Sequence, residues 1–294
     1  MAIQTASLTA GIVACQNIVI SQVRYTAESA APCRQLIEHF TLGQGEKSIT
    51  VPKVAQATAQ QLTDGVDMVD EEDLGISTVD LTTAEVGLKF VLTDKLIRQF
   101  NEDVFKVTGR QMGEAMARKV DRDIIALFSS LNGGVTLGVD NALLNLFAIM
   151  GCVGFSESKL YPKPIHIVHH PNAMVELNRN ITGAHKKFAS AQMGMQTAAE
   201  KYMERFYTAT INGVDVYWDA NIDKASNDSG YGAIFSKNAM CIIESKAAGV
   251  ERERDASLRG WEIVMVADYG VFELDDAYGA PMLYEIGTMN TTST

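Results

Sequence analysis

Three imidazoles fall within five residues, at His166, His169 and His170. Imidazole is the commonest nitrogen ligand of protein-bound zinc, so a metal-assisted reaction would be sought here first. On an extended strand His166 and His170 share one face, and a closed ligand set would need a carboxylate or thiol from elsewhere in the chain. No H-E-x-x-H pair is present. Histidines held by ordinary hydrogen bonds where a strand meets a helix account for the same residues without a metal. Ser156-Glu157-Ser158-Lys159 matches the S-x-x-K of serine acyl-transfer enzymes. No S-D-N or K-T-G follows it, and it is expected in a loop rather than at a helix start. G-x-S-x-G, the P-loop and a G-x-G-x-x-G after a strand are absent. No catalytic, cofactor-binding or metal-ligating residue is therefore assigned.

The strongest charge feature is acidic. Between Gln61 and Asp80 stand seven carboxylates, Asp64, Asp67, Asp70, Glu71, Glu72, Asp73 and Asp80, with no Lys or Arg among them. The D-x-[DN]-x-[DN]-G spacing of a calcium loop is missing, and no Glu closes a twelve-residue loop. A solvated acidic loop is one reading. The other is that Asp64, Asp67, Asp70, Glu71, Glu72 and Asp73 meet basic groups on a second copy of the chain, with Arg252, Arg254 and Arg259 as the source.

Composition narrows the class. Of 294 residues 47% are hydrophobic and 21% charged, which excludes a disordered chain and allows a sizeable core. A net charge of -11 argues against free, sequence-specific nucleic-acid binding, which runs on phosphate neutralisation by Lys and Arg. Cys15, Cys33, Cys152 and Cys241 form no C-x-x-C and read as thiols in a reducing compartment. The apolar residues at 11–20 are interrupted by Gln16 and Asn17, too short a stretch to span a membrane and without the basic flank of a secretory signal. The sequons at Asn180, Asn227 and Asn290 are accordingly expected to be unused.

The elements that must position these groups are of α+β type, without the βαβ alternation of a doubly wound sheet and without internal repeats. A short helix is expected near Pro32, since Pro suits a first helical turn. Residues 47–54 alternate polar and apolar, with Pro52 indicating an edge or isolated strand. Residues 83–92 alternate again. The two strands, with the acidic stretch between them, describe a long extended hairpin poor in large apolar residues, which something outside its own domain must order. Residues 93–131 read as a long helix: Val104, Phe105, Met112, Met116, Val120, Ile124, Leu127, Phe128 and Leu131 recur at steps of three and four. Glu114–Arg118 and Lys119–Asp123 are i,i+4 charge pairs, Gly109 and Gly113 weaken the middle, and Asn132-Gly133-Gly134 stops the helix. Beyond it the pattern predicts a helix over 141–152, a buried strand over 164–170, a helix from Pro171 to about 179, and a helical stretch over 189–205. A hairpin over 210–218 turning at Asn212-Gly213 follows, then a strand near 240–243 and long strands over 251–255, 261–267 and 271–274.

Taken in order and spacing, these pieces resemble the major capsid protein of tailed bacteriophages, the Hong Kong 97 fold. The resemblance covers nearly the whole chain. An N-terminal arm ends at Glu38-His39-Phe40-Thr41, and the spine helix is most family-like from Gly113 through Arg118 to Asp123. Ile165-His166-Ile167-Val168-His169-His170-Pro171-Asn172 looks like the strand and Pro-opened helix of the axial domain, and Gly213-Val214-Asp215-Val216-Tyr217 like its later hairpin. Arg252-Glu253-Arg254-Asp255 through Ala267-Asp268-Tyr269-Gly270 looks like the returning strands of the peripheral domain.

The resemblance implies an arm over 1–45, an extended loop over 46–92, a peripheral domain with the spine helix over 93–138 and 246–294, and an axial domain over 139–245. It implies a structural subunit and no enzyme, with no cofactor and no membrane. The subunit would assemble in the host cytoplasm with copies of itself, as hexamers and pentamers of an icosahedral virion capsid around double-stranded DNA held without sequence specificity. About 45 residues precede the loop, so the scaffolding protein is expected to be a separate chain, beside a portal and a cement protein. Some members join a loop Lys to an Asn of the peripheral domain. No Lys lies between 61 and 80 and no Asn between 255 and 260, so no such bond is expected. An encapsulin-like protein nanocompartment shares the fold and stands as the alternative. A soluble metal-dependent enzyme using His166, His169 and His170 is the reading of a different class.

Overall fold

Within the helical periodicity read over 93–131, the described residues form α1 (Asp94–Gln99) and α2 (Val104–Leu127). The computed structural model describes residues 32–54, 75–99, 104–175, 177, 207–211, 213–225 and 227–287, with the single positions 59, 61 and 64. α2 runs unbroken through Gly109 and Gly113, and Lys119 reaches Asp123 at 2.5 Å. After the helix, Asn132, Gly133 and Gly134 take positive φ of 56°, 61° and 77°, which continues no right-handed helix.

α2 lies on a four-stranded sheet of β1 (Glu38–Thr41), β4 (Ala84–Thr93), β9 (Met240–Asp255) and β10 (Gly260–Glu273), in the order β1-β9-β10-β4. Side chains on a strand alternate between faces. Ile263, Met265, Ala267 and Tyr269 therefore all point at one side, where they bury against Met112, Met116, Val120 and Ile124. The three strand pieces expected over 251–274 are thus two long antiparallel strands, with register shifts between Val266 and Tyr269. β1 is a four-residue strand parallel to β9, too short to have shown a period in the sequence.

The second sheet holds β5 (Ile165–His169), β6 (Tyr207–Ile211), β7 (Val214–Trp218), β8 (Ser229–Ser236) and β11 (Gly279–Glu285), ordered β11-β8-β5-β7-β6. α3 (Leu146–Ser158) covers one face, with Ile149, Cys152 and Val153 against Ile165, Ile167 and Met282. The other face puts Val168 and Phe235 into the core under α2, where the rings of Phe128 and Phe235 stand 5.6 Å apart. Both faces are covered, so β5 is buried at every position, and α2 joins the two sheets. Three sequence readings change here. α3 begins at Leu146, not 141, because Asn145 is its cap and accepts the Ala148 N–H at 2.8 Å. β8 was missed because it is buried almost throughout and shows no alternation. β11 pairs with β8, so 279–285 sides with the sheet of 139–245 rather than with β9 and β10. The short helical turn at Cys33–Leu36 and the hairpin turning before Gly213 lie where the sequence put them, while 189–205 falls outside the described residues.

The extended hairpin is paired differently from expectation. β2 (Ser48–Val54) takes β3 (Ile76–Thr82) as its antiparallel partner, Ser48 opposite Thr82 and Val54 opposite Ile76. Residues 83–92 fall largely in β4, which pairs with β10 instead. Both segments alternate, and alternation shows a strand without showing its partner. The hairpin also has a small core at its base. Leu81 is fully buried with Leu42, Cys241 and Ile243, on the face of β9 turned away from α2, and Ile49, Val51 and Val79 pack around it. Among the described residues no helix is long and apolar enough to cross a membrane.

Candidate functional site

The hairpin strands are fastened to the body of the subunit at both ends of their ladder, where Leu81 stands opposite Ile49 and Lys53 opposite Ser77. Besides Leu81, Lys53 Nζ meets Asp275 Oδ1 at 2.5 Å across more than two hundred residues of chain. Across the ladder Thr50 Oγ1 donates to Asp80 Oδ1 at 2.6 Å. Of the acidic residues proposed for an inter-subunit contact, Asp64 is exposed; Asp67, Asp70, Glu71, Glu72 and Asp73 lie outside the described residues.

The basic candidates sit at the far end of the long strand pair. Trp261 stands opposite Arg254, and the guanidinium carbons of Arg252 and Arg254 lie 5.5 and 5.4 Å from its ring centroid. Such stacking is worth roughly 0.5–1 kcal/mol at an exposed site. Arg254 also forks onto Asp94, at the start of α1, with contacts of 3.3 and 3.0 Å. Arg259 is exposed in the turn, at a φ of 49°, and its carbonyl accepts the Asp94 N–H. Two of the three arginines are thus prearranged by their own subunit.

The histidines do not assemble into a ligand set. His166 faces Tyr217 and Phe235, whereas His169 faces Tyr284 across the sheet. Burial holds the His169 ring down to about 3, so it stays neutral, with the neighbouring His170 adding to the effect. His170 Nδ1 accepts the Asn172 N–H at 3.1 Å, capping the helical turn that Pro171 opens. Ser156 of the S-x-x-K tetrapeptide is buried in the last turn of α3, not in a loop, and its hydroxyl donates to the Val153 carbonyl at 2.8 Å. It has no exposed nucleophile to offer.

One constellation escaped the sequence reading. Asp121 is fully buried on α2, and Asp219, just beyond β7, is buried beside it. Cys33 donates its N–H to Asp121 Oδ1 at 3.1 Å and its thiol to Asp219 Oδ2 at 3.2 Å. Asn221 donates its N–H to Asp219 Oδ1 at 2.8 Å and its Nδ2 to Asp121 Oδ2 at 2.7 Å. Burial, and then the facing Asp219 carboxyl, push Asp121 up to about 8. Burial and the same two carboxylates push the Cys33 thiol well above its ordinary value, so it remains a donor. Ligand atoms of Cys33, Asp121 and Asp219 lie within 4.8 Å of one another, but each is already engaged in a hydrogen bond. The signal available in the sequence was phase: Asp121 shares the helix face of Ala117, Val120, Ile124 and Phe128, where a carboxylate is out of place.

Comparison with known proteins agrees with this anatomy. The family model for phage capsid protein matches residues 76–280, from β3 to the start of β11. No curated protein matches the chain significantly. Among solved structures, the capsid of cyanophage P-SCSP1u is similar at 14% identity and a TM-score of 0.62, over 85% of this chain and 86% of that one. A structure of Mycobacterium phage Che8 is similar at 14% identity and a TM-score of 0.63, over 83% and 86%. A virus-like particle from Pyrococcus furiosus is similar at 11% identity and a TM-score of 0.58, over 92% and 98%. At such identities the structural likeness speaks to fold. With two long returning strands under a spine helix, a second sheet beyond it, and a family match over most of its length, the chain belongs to the phage capsid protein family, as a structural subunit of a phage head with a Hong Kong 97-like α+β fold.

Proposed function

We propose that this subunit closes into hexamers and pentamers of an icosahedral shell around double-stranded DNA, with the β2–β3 hairpin laid across a neighbouring copy. The observation that carries the reading is the contrast between the anchored hairpin strands and the acidic sequence that joins them. The paired strands are locked to their own subunit by Leu81 at one end of the ladder and by Lys53 on Asp275 at the other, while the sequence between them holds six of the acidic residues and few large apolar ones. Strands anchored to their own subunit and joined by an acidic sequence without Lys or Arg suit a contact completed by cations of another copy. Asp64, Asp67, Asp70, Glu71, Glu72 and Asp73 are assigned to that contact, with Arg259 as the outward cation and Arg252 and Arg254 as its prearranged neighbours. The domains follow as an arm, the hairpin loop, a peripheral domain built on the four-stranded sheet and α2, and an axial domain built on the five-stranded sheet, which takes in β11. Assembly in the host cytoplasm, a separate scaffolding protein, a portal and a cement protein complete the proposal, as does a shell without loop-to-domain covalent bonds.

The test is negative-stain electron microscopy of the full chain after size-exclusion chromatography, alone and with the scaffolding protein co-expressed. Closed uniform shells or capsomer rings support the proposal. A monodisperse monomer or dimer under both conditions overturns it. A protein-filled compartment of the same fold is the second reading. Nuclease-protected DNA inside the particles selects the first reading, and a protein cargo without DNA selects the second.

A further inference from the structure

The buried polar cluster joins three parts of the chain that are far apart in sequence. Cys33 opens the short helical turn of Cys33–Leu36, which Pro32 precedes. Asp121 belongs to α2, and Asp219 and Asn221 follow β7. Asp219 is held in turn by its own N–H, which donates to the His169 carbonyl at 3.0 Å. Four donors converge on the two carboxyl groups: the N–H and S–H of Cys33, and the backbone and side-chain N–H of Asn221. Of the charged or titratable side chains, Cys33 faces the pair from the arm and half-buried His170, at the end of β5, faces Asp219. Arg122, the next residue on α2, points away and pairs with exposed Asp223 at 3.0 Å. Among the described residues neither Asp121 nor Asp219 has a Lys or Arg partner in an ion pair. Two adjacent buried carboxylates without a cation cannot both ionise at small cost. Their hydrogen bonds are made, and a proton placed between them removes the like-charge cost.

We propose that Asp121 and Asp219 share one proton at neutral pH, and that this protonated pair is a latch fastening the arm, through Cys33, to the spine helix and to the end of β7. Loss of the proton leaves two like charges facing each other beneath Cys33, where the turn of Cys33–Leu36 packs on α2. Alkaline conditions would therefore loosen the arm before they unfold either sheet. The histidines do not interfere with the test. Burial lowers His166, His169 and His170, so their titration falls on the acid side of the ordinary histidine value.

The experiment is site-resolved alkylation of the full chain by iodoacetamide, followed by mass spectrometry, between about pH 6.5 and 9, the window above the ordinary histidine value. Cys152 and Cys241, also buried thiols, serve as internal references for thiolate supply. In the native protein the reactivity of Cys33 relative to both is expected to rise with pH, by at most about tenfold per pH unit for a latch closed by one proton. In Asp121→Asn the ratio is expected to be flat, because the amide donates permanently and no shared proton remains to be lost. Asp219→Asn is the second variant, and infrared spectroscopy of the native protein with isotope-labelled aspartate is the direct check. A protonated carboxyl C=O stretch is expected at pH 7 and is expected to vanish in either variant. Absence of that band, an unchanged slope in a folded variant, or a stoichiometric divalent metal retained by the native protein and lost in Asp121→Asn would each overturn the proposal.

Discussion

Replacing Leu81 by Ala should release the hairpin without melting the subunit. Leu81 is fully buried, but its cluster is small: three other buried residues, then a ring of half-buried ones that includes Ile49, Val51, Val79 and Phe272. A buried Leu→Ala change costs about 2–5 kcal/mol, depending on how well the site closes. Here the half-buried ring can move inward, so about 2–3 kcal/mol is expected. That loss falls on two strands otherwise tied to the body mainly by Lys53 on Asp275 and by the backbone crossing at Gly270, and a two-stranded ribbon is marginal alone. At 1.4 kcal/mol per factor of ten, the population with an open hairpin base should rise roughly 30- to 150-fold. Native-state hydrogen exchange reads this directly. The amides of 48–54 and 76–82 should exchange faster by that factor, while those of 261–266, under α2, keep their protection. Equal acceleration of both sets would mean that Leu81 supports the whole core, and no acceleration would mean that the hairpin is held elsewhere; either would refute the reasoning. The variant should also give fewer closed particles than the native chain at equal concentration.

Three further outcomes are expected. A Cβ at Gly232 would stand 2.3 Å from His169 Cδ2 and 2.5 Å from the Val168 carbonyl oxygen, so Gly232→Ala should cost at least about 1–3 kcal/mol, read as a lowered thermal midpoint. Truncating His169 in the same chain should restore only part of it, because the backbone contact stays. His169 has a folded value of about 3 against 6.5 unfolded, so below 6.5 the unfolded chain binds a proton that the folded one refuses. This stability contribution is lost as pH falls from about 6.5 toward 3, by about 1 kcal/mol per pH unit, and urea midpoints of the native chain and His169→Leu should diverge over that range. Reversing Asp70, Glu71 and Glu72 to Lys should leave the far-ultraviolet circular dichroism of the subunit unchanged and impair particle formation; normal particles from this variant would refute the assignment of the acidic run to an inter-subunit contact.

Much of this fold was legible because its causes are local. The three- and four-residue recurrence from Met112 to Phe128 specifies the face of α2 that must be buried, whatever covers it. Asn132-Gly133-Gly134 ends the helix through backbone conformations that other residues resist. The turn before Gly213, the alternation of 48–54 and the family resemblance drawn from the order of elements belong to the same class. Strand partners were less legible. Residues 76–82 and 84–93 alternate alike, yet one pairs with β2 and the other with β10. The choice turns on which faces find apolar cover, and that depends on Cys241 and Ile243 far along the chain. β8 carried no period because both of its faces are buried, and β11 could not be assigned to a sheet before β8 was known.

The same division separates what the amino-acid order determined from what tertiary structure decided at the chemical centre of the molecule. Periodicity, turn residues and charge runs act over a few residues, so the order of amino acids alone settles the class of the fold, the long helix and its stop, and the acidic stretch between the hairpin strands. The burial phase of Asp121 was also there to be read, as a carboxylate on an apolar face. Its partners were not. Cys33 lies 88 residues before it and Asn221 lies 100 after it, and no pattern of spacing links residues that meet only when helix, arm and sheet have packed. Which arginines are already held by Trp261 and Asp94, which histidine is kept neutral, and where two carboxylates must share a proton are consequences of burial and contact, and these exist only in the folded chain.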